Sequence, residues 1–216
     1  MEHISNLFHW LIGMLRDPGP VIAWGGYPAL ALIVFLETGA MVFFLPGDSL
    51  LFTAGIYASR PEIALDILWL NVLLIPCAII GDATSYWIGK KTGPLIFNRP
   101  RSRLFRPEHV EAAHRFYEKH GGKAIILARF MPFVRTFVPV VAGVARMPYL
   151  RFASFNMIGG AAWVLSMTLL GYFMGNMFPG IAKRIEIVII VIVLLSISPG
   201  IVAWWRARRA ARRGNP

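Results

Sequence analysis

Long apolar runs broken by short polar stretches dominate the chain. Residues 3–16 place Ile4, Leu7, Phe8, Leu11 and Leu15 at helical spacing on one face, and the run stops at Asp17-Pro18-Gly19-Pro20, a strong breaker. This segment is short and amphipathic, so residues 1–20 read as a helix lying on the membrane surface. Residues 21–36 are apolar and meet Glu37-Thr38-Gly39. A second apolar stretch, 40–45, runs into Pro46-Gly47-Asp48-Ser49 and resumes over 50–57. Neither piece beside Pro46 can span alone, because a spanning helix needs about 20 apolar residues. Two short arms around a Pro-Gly bend predict a re-entrant hairpin over about 37–58, entering and leaving on one side. Irregular backbone at that depth is tolerated only where protein or a water-filled cavity satisfies its polar groups.

Residues 66–89 predict a full span that ends at Gly89-Lys90-Lys91. A basic loop over 90–122 follows, with residues 107–120 reading as a surface helix. Residues 122–146 then repeat the broken theme. An apolar stretch, 123–127, leads into Arg129, Pro132, Arg135, Pro139 and Gly143, with Lys123 and Arg146 on the flanks. Residues 152–178 and 185–205 predict two further spans, so the transmembrane domain covers 21–205 and residues 206–216 form a basic tail.

Composition agrees with lipid as the solvent. Of 216 residues, 56% are hydrophobic and 15% charged, and the mean hydropathy is +0.59. Soluble domains carry roughly 25% charged residues, so this chain cannot cover a water-facing surface. The net charge of +11 raises a nucleic-acid reading. The positions of the cations argue against it. Arg206, Arg208, Arg209, Arg212 and Arg213 follow the last apolar run, and Lys90, Lys91, Arg99, Arg101, Arg103, Arg106, Arg115, Lys119 and Lys123 crowd one loop. Basic residues flanking spans are retained on the cytoplasmic side, where they also meet anionic lipid. The lone Cys77 makes neither an internal disulfide nor a zinc set and reads as a small buried hydrophobe. The N-terminus lacks the basic start and cleavage site of a secretory signal.

The same rule sets orientation. The basic tail puts the C-terminus in the cytoplasm, the 90–122 loop is also inside, and residues 60–66 are outside. The first broken segment then opens outward and the second inward. Two re-entrant elements entering from opposite faces form an inverted repeat, the transporter arrangement that brackets a midplane site. The two halves share little direct sequence similarity, so this reading rests on topology. The expected fold is an all-α polytopic membrane protein, a helical bundle with two oppositely oriented re-entrant hairpins.

Five ionisable residues fall inside the apolar segments: Glu37, Asp48, Asp82, Arg129 and Arg135. Each costs at least about 2.5–3.5 kcal/mol at the bilayer centre, so each needs a partner or a function. Bland roles compete for several of them. Glu37 could be solvated near the outer interface, Asp48 could cap a helix starting at Ser49, and Asp82 lies among small residues that suit close helix packing. Taken together they make a site. Arg129 and Arg135 are suited to phosphate, because guanidinium donates bidentate hydrogen bonds and never deprotonates. Glu37 and Asp48 would pair with them when the site is empty and could carry protons when it is filled. Five histidines (His3, His9, His109, His114 and His120) lie in polar or surface segments without metal-ligand spacing. No cofactor or metal site is expected.

The motifs resemble those of the DedA family, the bacterial branch of the VTT-domain or SNARE-associated Golgi protein superfamily. Glu37-Thr38-Gly39 with Leu45-Pro46-Gly47-Asp48-Ser49-Leu50-Leu51 resembles its first signature. Gly81-Asp82-x-x-x-Tyr86-x-x-Gly89 and Arg129-Phe130-x-Pro132-x-x-Arg135-Thr136-x-x-Pro139-x-x-Ala142-Gly143 resemble its second and third. The match runs over roughly residues 22–205. The resemblance implies facing re-entrant hairpins and lipid translocation, with essential positions at Glu37, Asp48, Arg129 and Arg135. It also implies the bacterial cytoplasmic membrane, proton motive force and resistance to cationic peptides. Bacterial members are implicated in returning undecaprenyl phosphate across that membrane, others in phospholipid movement and scrambling.

The expected function is therefore a flippase for an anionic polyprenyl phosphate, most readily undecaprenyl phosphate, coupled to protons. A phospholipid scramblase or phosphatidylethanolamine flippase is the alternative. An enzyme is disfavoured: a lipid phosphatase wants a nucleophilic histidine near Arg129 or Arg135, and the sequence has none there. The expected partners are a membrane lipid and protons, without nucleic acid. The sequence leaves oligomeric state open, a homo-oligomer included.

Overall fold

The computed structural model describes residues 19–40, 47–97 and 123–178. The amphipathic segment 3–16, Pro46, the loop helix 107–120, the span 185–205 and the basic tail lie outside the described residues. Those described fold as six helices with no strand: α1 Gly19–Gly39, α2 Gly47–Ala58, α3 Ile67–Phe97, α4 Lys123–Ala128, α5 Pro132–Val144 and α6 Tyr149–Met177. Helices α1, α6 and the Ile67–Gly93 part of α3 are long and apolar enough to cross a membrane.

The long helices are polar inside and apolar outside. Leu32 and Leu36 of α1, Leu68, Trp69, Val72 and Ile80 of α3, and Leu150, Ile158, Leu170 and Phe173 of α6 are exposed. Their inner faces carry Glu37, Thr38, Asp82, Ser85, Asn156 and Thr168, all buried. Lipid tails are as apolar as leucine, so association rests on close packing and interhelical hydrogen bonds rather than on burying apolar area. Small residues provide the close packing. A Cβ on Gly55 of α2 would collide with the Thr168 carbonyl of α6, and one on Gly171 with the Phe52 carbonyl. The α3–α5 crossing repeats this, with Gly89 against the Val140 carbonyl and Gly143 against the Tyr86 carbonyl.

Local chemistry sets the ends and bends. In α1, Gly26 sits at φ 49°, a left-handed conformation suited to glycine, and Pro28 follows. Asp66 caps α3, accepting from the Leu68 and Trp69 N–H groups at 2.8 and 3.0 Å. Helix α1 stops at buried Gly39, where its last carbonyls need partners. The Ser85 hydroxyl of α3 supplies one, shared between the Thr38 and Gly39 carbonyls at 2.6 and 3.0 Å. Tyr86 donates its hydroxyl to the Met147 carbonyl and stacks on Phe152 at 4.7 Å, fixing the turn before α6 against α3.

Two buried apolar clusters surround the polar interior. Leu30, Val34, Leu50, Leu51, Leu74 and Trp163 join α1, α2, α3 and α6. Tyr86, Ile125, Ala142, Met147 and Phe152 join α3, α4, α5 and the start of α6.

Candidate functional site

Four helix segments bring the intramembrane charges together. Glu37 lies in the last turn of α1, so it belongs to a long helix and not to the short arms beside Pro46. Asp48 is in the first turn of α2. The second broken segment stops after Ala128, turns through Arg129–Met131 and restarts at Pro132. Met131 is extended there (φ −113°, ψ 107°), and proline opens α5 where a missing N–H is harmless. Arg135 is therefore in the first turn of α5. Its carbonyl loses the usual helical donor, because Pro139 four residues on carries no N–H.

The charges form two clusters. In the first, the Arg135 guanidinium donates one N–H to Glu37 Oε1 and another to Asp48 Oδ1. Trp163 of α6 completes it, donating its indole N–H to Asp48 Oδ1 at 2.7 Å. The Trp163 ring also lies under the guanidinium, with Arg135 Cζ 4.6 Å from the ring centroid. Glu37 is 1% exposed and Arg135 9%. The second Glu37 oxygen has no hydrogen-bond partner among the described residues and lies against Gly47, where a Cβ would collide with it.

In the second cluster, Arg129 donates to Asp82 Oδ2 of α3 and to Asn156 Oδ1 of α6. The Asn156 amide passes the link on to the Ile79 carbonyl at 3.0 Å. Gly159 and Gly160 make room for the arginine, whose Cδ and Nη2 lie 3.1 and 3.4 Å from where a Cβ on each would stand. This cluster holds one carboxylate and one guanidinium. The first holds two carboxylates and one guanidinium, so the two differ in charge balance as well as position.

The sequence reading paired both arginines with Glu37 and Asp48; in the structure only Arg135 meets them, and Arg129 meets Asp82. Ser49 and Thr136 are buried beside Asp48 and Arg135. Gly47 adjoins Glu37, Pro132 and Pro139 shape α5, and Tyr86 supports the turn before α6. Asn156 and Trp163 were not singled out from sequence. Asn156 had a signal, an amide in the middle of the first apolar stretch of its span. Trp163 had none, since an aromatic there reads as core. Among the described residues no three His, Cys, Asp or Glu side chains converge as metal ligands.

Comparison with known proteins adds to this geometry. The VTT domain family model matches residues 45–173. Protein DedA of Escherichia coli (strain K12) is 48% identical over 188 residues, covering 87% of this chain and 85% of that protein. An uncharacterized membrane protein of Mycobacterium tuberculosis (strain H37Rv) is 42% identical over 223 residues, covering 100% and 94%. A second from the same strain is 33% identical over 189 residues, covering 83% and 87%. No solved structure matches the chain at a significant level.

Proposed function

We propose that this chain, which belongs to the DedA family of VTT-domain membrane proteins, is a transporter that flips an anionic polyprenyl phosphate across the bacterial cytoplasmic membrane. The substrate in this reading is undecaprenyl phosphate, and its movement is coupled to protons. One observation carries the proposal: the buried Arg135 guanidinium held between Glu37 and Asp48, inside a bundle whose outer face is apolar. A guanidinium bound to two carboxylates is a phosphate site with its own side chains standing in for the ligand. Phosphate offers oxygens at similar spacing and takes the same N–H donors. A displaced carboxylate takes up a proton, which limits the net charge of the loaded site in a low-dielectric interior. The isoprenoid tail stays in lipid throughout.

The same reading assigns the fold's symmetry. Helix α2, the second arm of the first broken segment, packs by glycine on α6 of the second half, and α5 packs by glycine on α3 of the first. This exchange supports two inverted halves, each with a re-entrant hairpin, and the basic residues after the last apolar run support a C-terminus in the cytoplasm. Arg129 braces the break between α4 and α5 through Asp82 and Asn156, and Arg135 holds the head group. The site works by transport and breaks no bond in the lipid.

The test is reconstitution into liposomes, following labelled undecaprenyl phosphate and phosphatidylethanolamine with and without a pH gradient. Selective movement of the polyprenyl phosphate is expected, faster with the gradient, without release of inorganic phosphate. Equal rates for both lipids would replace the carrier with a scramblase. Rates indifferent to the gradient would remove proton coupling. Arg135→Gln should insert normally and lose transport; transport that survives it overturns the site.

A further inference from the structure

Trp163 touches two of the three charges of the carboxylate–arginine cluster, Asp48 and Arg135, and comes from α6, a helix that supplies none of them. It is 1% exposed. A buried indole N–H needs a partner and most simply takes a backbone carbonyl. Here it takes Asp48 Oδ1, the oxygen that also accepts from Arg135. The ring face meanwhile carries the guanidinium at 4.6 Å, within range of a cation–π contact. The two carboxylates are therefore not equivalent. Asp48 has a charged donor and a neutral one, whereas Glu37 has Arg135, and its other oxygen has no partner among the described residues.

Resting on the transporter reading above, we propose that Trp163 is a positioning residue that holds Asp48 while Arg135 exchanges its carboxylate partners for the lipid phosphate. When the guanidinium turns to phosphate, Asp48 keeps the indole N–H and its place at the start of α2. Glu37 loses its donor and is the carboxylate that takes a proton from the aqueous phase, onto the unpartnered oxygen beside Gly47. Among the described residues the charged groups around this pair are Arg135 of α5 and, farther off, Asp82 of α3, whose own partner is Arg129. None of these supplies a second donor to Glu37. Trp163 thus makes one carboxylate a fixture and the other an exchanger. Without it, Asp48 depends on Arg135 alone and competes harder with the phosphate.

Binding of undecaprenyl phosphate to the purified full chain in phosphatidylcholine nanodiscs tests this. Trp163→Phe keeps an aromatic face and removes the N–H. It should raise the apparent Kd about tenfold, the scale of a hydrogen bond to a charged group. Asp48→Asn should tighten binding, because it removes a carboxylate that competes for Arg135, and adding Trp163→Phe to it should change little more, because the indole acts through that carboxylate. Wild-type affinity in Trp163→Phe, or a Trp163→Phe loss that persists in full on the Asp48→Asn background, overturns the assignment. A second measurement uses the native residue and does not require the variant to fold. Saturating lipid should change tryptophan emission as Arg135 leaves the ring, and Arg135→Gln should show no such change. Unaltered emission from the saturated wild-type protein also refutes the proposal. Failure of the wild type to bind the lipid overturns the transporter reading, and the assignment falls with it.

Discussion

Neutralising Asp82 and Arg129 singly and then together separates a brace from a substrate ligand. Both side chains are buried, each 5% exposed, and each is the other's charged partner. Asp82→Asn leaves an uncompensated guanidinium, and Arg129→Gln an uncompensated carboxylate. Removing one member of a buried pair costs roughly 3–5 kcal/mol. In a chain of this size each kcal/mol moves Tm by roughly 2–4 °C, so each single variant should melt roughly 6–20 °C lower. Asp82→Asn belongs at the mild end, because Asn156 still accepts from Arg129. The double variant has two neutral amides where the pair stood and should regain most of the lost Tm. Thermal melts in detergent, read by the monodisperse fraction on size exclusion, give the stability arm. Liposome translocation gives the functional arm. A bracing role predicts that transport returns with stability in the double variant. A double variant that melts like the wild type and carries no lipid would place Arg129 on the substrate and refute the division of labour.

Three further changes probe the scaffold. Asp66→Ala removes the α3 cap and should cost about 1 kcal/mol, seen as a Tm lower by roughly 2–4 °C with transport intact. Ser85→Ala leaves the buried end of α1 without its hydroxyl donor and should cost roughly 1–3 kcal/mol in the same melts. Gly171→Leu drives a side chain into the Phe52 carbonyl at the α2–α6 crossing. It should abolish the monodisperse peak, whereas leucine in place of exposed Met177 on the same helix should leave it unchanged.

The long helices were legible because hydropathy reports length directly. The predicted spans 66–89 and 152–178 correspond to Ile67–Phe97 and Tyr149–Met177. The break at Arg129–Met131 was legible because Pro132 and two arginines interrupt an apolar run. Pairing was harder to read. Which acid meets which arginine depends on helix rotation, and a turn of about 100° per residue decides it. Glu37 looked like part of a hairpin because Gly39 follows it, yet the α1 ladder runs on to Gly39 with Ser85 finishing it. Trp163 was invisible for a different reason. Its indole is apolar enough to belong in any span, and its role lies in a single N–H aimed at a residue far away in the chain.

That remoteness bears on how the protein is made. Arg135 follows Asp48 by 87 residues and Glu37 by 98, and Trp163 follows Asp48 by 115. At roughly 5–20 residues per second of synthesis, the two acids wait on the order of ten seconds before their cation exists. During that interval α1 and α2 present two carboxylates and a bare glycine face with nothing of their own to cover them. The nascent chain must therefore borrow partners, from water at the insertion machinery or from that machinery itself. The clamp can close only when the ribosome has reached the second half.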